Sequence, residues 1–319
     1  MRKSVTKIVC LFLVLTLFVL MAAASGSSEK TETKEIKDTL AAEKTEKETT
    51  VADDTKKDPE TEETTTTTEA AKQVSIEEQV LIDQNDVKIT AKEYVLDTIW
   101  GDGIKLLVEN NSDKNVTVSC RALIVNNYMI TDLFSCSVAA GKKANETLNL
   151  SSSGLKAAGI SEVGQVEVYF HVYDSDSWDG IFDTDVVTIK TSAFDSMDTT
   201  PDDSGKELYN EGGIRIVGKY VDEDSFWGAG ILLYMENNSG KNIGISCDNF
   251  SVNGFMLMPI FSCDIYNGKM AIDDITLLSS ELEENDIEKI EEVELSFHIY
   301  DLDSYSTIKD TDPITFAVE

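Results

Sequence analysis

Histidine and positive charge are the scarcest chemistry in this chain of 319 residues, which has two histidines and 27 lysines and arginines against 59 aspartates and glutamates. The shortage of cations leaves a formal net charge of -32 at pH 7, a surface that repels phosphate backbones and anionic lipid headgroups alike. Nucleic acid is therefore not an expected partner. His171 and His298 stand 127 positions apart, each the copy of the other. A Ser-His-Asp or Cys-His mechanism needs a base beside a nucleophile with an orienting acid. The cysteines of this chain read as core residues facing away from the histidine side of their strands, so the expectation is a protein that is not an enzyme.

Long apolar runs are also missing, with one exception. Arg2, Lys3 and Lys7 precede an apolar stretch from Ile8 to Met21, and Ala22, Ala23, Ala24, Ser25 and Gly26 come directly after it. This is the pattern of a secretory signal over residues 1–24 with cleavage after Ala24. The run is short of the roughly 20 residues of a membrane span, and an uncleaved anchor is the alternative, the one route by which the chain would meet a membrane. Ser25 stands where a lipid-anchored precursor would carry cysteine, so the expected location is extracellular or on the cell surface, without lipid. Residues 25–75 are rich in Thr, Glu and Lys and nearly devoid of aromatic and branched aliphatic side chains, which predicts a disordered tether.

The remainder of the chain is a duplication. A shift of 127 positions places Trp100 on Trp227, Cys120 on Cys247, Cys136 on Cys263 and His171 on His298 without a gap. Two units are expected, residues 76–195 and 206–319, joined by a linker at 196–205 marked by Pro201, Asp202 and Gly205. Each is about the size at which a single domain buries a stable core.

Inside each unit the apolar period is two. Val166, Val168, Phe170 and Val172 alternate with Glu167, Tyr169, His171 and Tyr173, and Val293, Leu295, Phe297 and Ile299 repeat the pattern. Parity slips by one residue after Cys120 and after Cys247, which predicts a β-bulge in each copy. Asn126-Asn127 and Asn253-Gly254 predict tight hairpins, and the stretches after Ser152 and Ser279 a short helical turn. The fold class expected is all-β, two tandem antiparallel β-sandwiches of immunoglobulin-like type, with a small barrel as the alternative.

The string Glu109, Asn110, Asn111, Ser112, Lys114, Asn115, then Val125, Asn126, Tyr128 and Met129 resembles the immunoglobulin-like domains of unknown function in secreted and lipid-anchored proteins of Gram-positive, clostridial-type gut bacteria. Val252, Asn253, Gly254, Phe255, Met256, Gly268 and Lys269 extend the likeness to the second copy. The resemblance implies an extracytoplasmic binding or adhesion module whose partner is a protein or a glycan, and it brings no catalytic residues.

Three groups of candidate residues remain. Four cysteines, Cys120, Cys136, Cys247 and Cys263, recur at one spacing, which in an exported protein predicts one structural disulfide per unit, with buried thiols as the alternative. Asp174, Asp176, Asp183 and Asp185 recur as Asp301, Asp303, Asp310 and Asp312. Carboxylates so spaced could supply calcium with oxygen ligands, which would make the chain a calcium-stabilised structural spacer, or could cap their own turns. No other cofactor is expected. Trp100, Trp178 and Trp227 are the candidate ligand-facing aromatics, with burial over the sandwich ends as the alternative for Trp100 and Trp227.

Overall fold

Alternating apolar residues become strands almost without exception in the computed structural model, which describes residues 73–98, 101–225 and 228–318. The expected signal, nearly all of the tether, Trp100 and Trp227 lie outside these residues. The first repeat contributes β1 (Gln79–Gln84), β2 (Val87–Thr98), β3 (Gly101–Asn110), β4 (Val116–Val125), β5 (Tyr128–Ile130), β6 (Ser135–Val138), β7 (Lys143–Asn149), β8 (Gln165–Asp174), β9 (Gly180–Asp183) and β10 (Val187–Lys190). The second contributes β11 (Lys206–Glu211), β12 (Ile214–Ser225), β13 (Gly228–Asn237), β14 (Ile243–Val252), β15 (Phe255–Met256), β16 (Ser262–Ile265), β17 (Lys269–Leu278), β18 (Glu292–Asp301), β19 (Thr307–Asp310) and β20 (Ile314–Ala317). Short helices at Ser152–Ala157 and Ser279–Glu284 fall where the sequence predicts them.

The sheets are open, and the class is all-β sandwich. In the first repeat β1-β2-β3-β7 form one sheet and β10-β8-β4-β5 the other; in the second, β11-β12-β13-β17 and β15-β14-β18-β19 are their counterparts. The bulges fall at Cys120/Ala122 and Asp248/Ser251, where apolar parity slips. Asn126, Asn127, Asn253 and Gly254 all take positive φ, the conformation a two-residue hairpin requires. Asn126 also accepts from the Gly164 and Gln165 amides and donates to the Glu162 carbonyl, and Asn253 makes the matching bonds to Glu291, Glu292 and Lys289.

Asn110 and Asn237, both fully buried, explain the Asn-rich motif. The Asn110 amide donates to the carbonyls of Lys114 and Val138 while its oxygen accepts from Ser112, and Asn237 binds Lys241, Ile265 and Ser239 in the same way. A short side chain thus satisfies carbonyls that a buried turn would otherwise leave unpaired. The motif is structural in both copies.

The two repeats do not hang separately from a linker. β17 pairs in parallel with β5, Met270 opposite Tyr128 and Ala271 opposite Met129, so that one ten-stranded sheet runs through both repeats. Tyr128 faces the first core together with Val217 and Tyr234 from the second repeat, and Met270 and Ile272 pack there too, while Met129 reaches the second core. Because successive strand residues point to opposite faces, the shared sheet is covered on one face by the first repeat's other sheet and on the opposite face by the second's. Lys269 closes the seam, its ammonium 2.5 Å from Glu167 Oε2, with both side chains mostly buried.

The expected disulfides are not formed; all four cysteines are free thiols. Register is the reason. Cys136 lies opposite Val118 and Cys263 opposite Ile245, which leaves Cys120 and Cys247 two residues along, diagonal to their supposed partners. Diagonal positions are about 7–8 Å apart, beyond the roughly 4.4–6.8 Å that a disulfide spans. The Cys120 thiol instead donates to Asp132 and the Cys263 thiol to Asp273, and burial pushes Cys136 and Cys247 up to about 11.

Candidate functional site

The outer face of β8 carries the chemistry that the core does not need. Its inward residues Val166, Val168, Phe170 and Val172 are fully buried, and His171 and Tyr173 alternate outward. The chain then makes a turn in which the Trp178 amide donates to the Asp174 carbonyl at 2.8 Å, while Asp174 Oδ1 accepts from the amides of Asp176 and Ser177. Those amides, with the Lys114 ammonium 3.1 Å away, hold the Asp174 carboxyl below its usual range. Trp178 closes the turn at φ 65°, which folds its ring back along the strand.

The result is a ladder of three rings. Trp178 stacks on Tyr173 at 5.5 Å and 17°, and Tyr173 on His171 at 5.4 Å and 27°. Trp178 is nevertheless 75% exposed. The far end is polar, His171 Nδ1 lying 2.5 Å from Asp183 Oδ1, and Arg121 donates to Asp183 Oδ2 at 2.8 Å. Tyr169, one step down the same face, leaves the ladder to pack edge-on against Tyr266 of the second repeat.

The second repeat builds the ladder again. Tyr305 sits at φ 54°, stacks on Tyr300 at 6.4 Å, and Tyr300 stacks on His298 at 5.6 Å. His298 Nδ1 lies 2.5 Å from Asp310, Asp301 caps the turn, and the Lys241 ammonium with the Ser304 and Asp303 amides lowers the Asp301 carboxyl to about 2. Gly244 lies beneath it, where a Cβ would meet the Tyr300 ring as that ring is placed; the first ladder stands over Thr117 at the matching position. The Arg121 position holds Asp248, so this ladder ends without a cation.

The acidic candidates are dispersed among these tasks. Asp174 and Asp301 cap turns and pair with lysine; Asp183 and Asp310 orient histidine; Asp176 accepts from Asn115; Asp185, Asp303 and Asp312 are exposed. Among the described residues no three His, Cys, Asp or Glu side chains converge as metal ligands. Thr184 and Thr311, which separate the paired aspartates, accept from the Phe170 and Phe297 amides. Of the three tryptophans only Trp178 is described. Sequence reasoning singled it out but missed its stacking partners, although Tyr173 and Tyr300 recur at matching positions.

A cleft of about 740 Å³ lies where the loop after β5 and the strand β7 face the shared sheet, with Leu133, Glu146, Leu232, Ile272 and Asp274 among its walls. The histidines stand elsewhere, on the outer faces of β8 and β18.

No family model and no curated protein matches the chain. Among solved structures, the Salmonella enterica SafA pilin in complex with the SafB chaperone aligns at 9% identity over 68% of this chain and 89% of that one, with a TM-score of 0.20. A protein of unknown function from Porphyromonas gingivalis aligns at 11% identity over 77% of this chain and 97% of that one, also with a TM-score of 0.20. Likenesses this loose carry no argument about function.

Proposed function

We propose that the chain is a non-enzymatic binding module that acts outside the cell, with its two aromatic ladders as the ligand-facing surfaces and neutral glycan rings as the ligand class. The observation that supports this is the placement of Trp178 and Tyr305. A left-handed residue other than glycine costs roughly 1–2 kcal/mol, yet both copies put a large aromatic there and leave it about three-quarters exposed. A turn needs only glycine at that position, so the ring serves something other than folding. Stacked rings held flat against a sheet offer a rigid amphipathic face at little entropic cost, and the His171-Asp183-Arg121 end supplies hydrogen bonds to hydroxyls. The resemblance to extracytoplasmic immunoglobulin-like domains points the same way.

The test is binding of the mature chain to immobilised neutral polysaccharides. Removal of both rings in a Trp178→Ala, Tyr305→Ala variant is expected to weaken retention at least tenfold while thermal stability holds or rises slightly. Retention that survives the double substitution, or no retention of the parent on any neutral glycan, removes the reading.

A further inference from the structure

The internal junction is a strand-docking site that occurs twice in the chain and is filled once. In the first repeat the β5 edge receives β17, and Tyr128 is 5% exposed as a result. β15 is the same strand 127 residues later, and it ends its own sheet, hydrogen-bonded only to β14 on the sheet path. Phe255 and Met256 stand 48% and 67% exposed on it, and Met258 and Ile260 stand 80% and 60% exposed in the segment that follows, where the Met258 amide donates to Glu281 and Ile260 exchanges backbone hydrogen bonds with Thr276 of β17. This edge is more apolar than the filled one, whose matching residues are Tyr128, Met129, Thr131 and Leu133. The open edge is that of Phe255 and Met256, and exposed apolar side chains on such an edge mark a binding or aggregation surface.

We propose that the β15 edge binds an extended strand of a partner protein in parallel orientation, and that the strand carries a lysine or arginine followed by apolar residues in the pattern of β17. The filled junction defines that chemistry. There Met270 donates its amide to the Asn127 carbonyl at 3.0 Å, and Lys269, one residue earlier, reaches Glu167. The counterpart of Glu167 is Glu294, which is exposed at the corresponding place on β18, and the counterpart of Asn127 is Gly254. A partner strand entering as β17 does would thus place its cation on Glu294, its alternate apolar side chains on the face of Phe255, and the residue between them on the face of Met256. Main-chain pairing supplies the attachment and the side chains the selectivity, as in other strand additions.

A second copy of the chain is the weaker occupant. Its β7, the counterpart of β17, keeps Lys142 but offers Lys143 and Asn145 where the filled junction has Met270 and Ile272. Lys143 is moreover engaged by Glu109.

The probe is a synthetic peptide of residues 267–278, the β17 segment with its preceding turn, titrated into the mature, isotope-labelled chain and followed by amide chemical shifts. Saturable shifts at residues 254–258 and at Glu294 are expected. Glu294→Lys should weaken them at least tenfold, and a peptide carrying Lys269→Glu should restore binding to that variant. Met256→Lys, on an exposed side chain, is the second variant and should also abolish them. No shifts at millimolar peptide, shifts confined to residues 127–130, or indifference to both substitutions overturns the proposal. Concentration-dependent self-association that Lys142→Glu abolishes would assign the edge to a second copy and overturn the partner named here. None of these outcomes depends on the aromatic ladders.

Discussion

Two edges of one ancestral strand have met different fates: β5 is sealed into a sheet shared by both repeats, and β15 faces solvent. The difference was made mostly on the partner side. The second repeat seals β5 with Val217, Tyr234, Met270 and Ile272, and at the corresponding places the first repeat carries Thr90, Leu107, Lys143 and Asn145. A head-to-tail contact between like units has no built-in stop and continues into a filament unless one side is altered. The lysine and asparagine on β7 are such an alteration, and charge on an edge strand is the common means of preventing pairing. Duplication thus yielded one strong internal seam and one open edge.

The comparison breaks most sharply at Lys269. Its removal leaves Glu167 mostly buried and uncompensated, a loss expected to cost about 3 kcal/mol. Lys142, its counterpart, is exposed, and its removal should change stability by less than about 0.5 kcal/mol. Urea denaturation of Lys269→Met and Lys142→Met measures both; equal effects would show that the seam contributes nothing to the stability of the folded pair.

A smaller contrast depends on pH. Burial pushes the Asp273 carboxyl up to about 6, and its counterpart Glu146 is exposed. As pH rises the unfolded chain releases this proton first, so the contribution is fully present below about pH 4 and is lost as pH rises through about 6. Asp273→Asn should therefore leave stability unchanged at pH 4 and raise it by about 2 kcal/mol at pH 7.5.

The sandwiches were legible in the sequence because period-two alternation, bulge and hairpin residues agree in both copies. The candidate site was half legible. Trp178 could be named, but its stacking on Tyr173 depends on a left-handed turn that no periodicity records. The junction was illegible, since Met270 and Ile272 look like ordinary strand residues until β5 is placed beside them. The cysteines misled for a related reason: equal spacing in two repeats reports common descent, and only strand register decides whether two sulfurs meet.

Tyr234 offers a gentler test of the seam. Among the described residues its hydroxyl is the buried side-chain group without a hydrogen-bond partner, and the matching residue of the first repeat is Leu107, which needs none. An unpaired buried hydroxyl costs roughly 1 kcal/mol or more. Tyr234→Phe keeps the ring in the junction and should raise stability by about 1 kcal/mol, read as a shift of the urea midpoint with an unchanged slope. A loss instead would mean that the hydroxyl is satisfied in solution.

The smallest effect expected is none at all, and it applies to both repeats alike. A disulfide closing a loop of this length contributes about 3 kcal/mol, so reduction would lower the melting midpoint by several degrees if either bridge existed. With Cys120 and Cys247 set diagonally from Cys136 and Cys263, dithiothreitol should leave the midpoint where it is, and thiol titration of the unfolded chain should find Cys120, Cys136, Cys247 and Cys263 all reduced. A drop in midpoint would require the β4–β6 or β14–β16 ladder to slip by two residues. That shift would carry Phe134 or Phe261 out of its present place, and with it the packing of the core beneath the ladders.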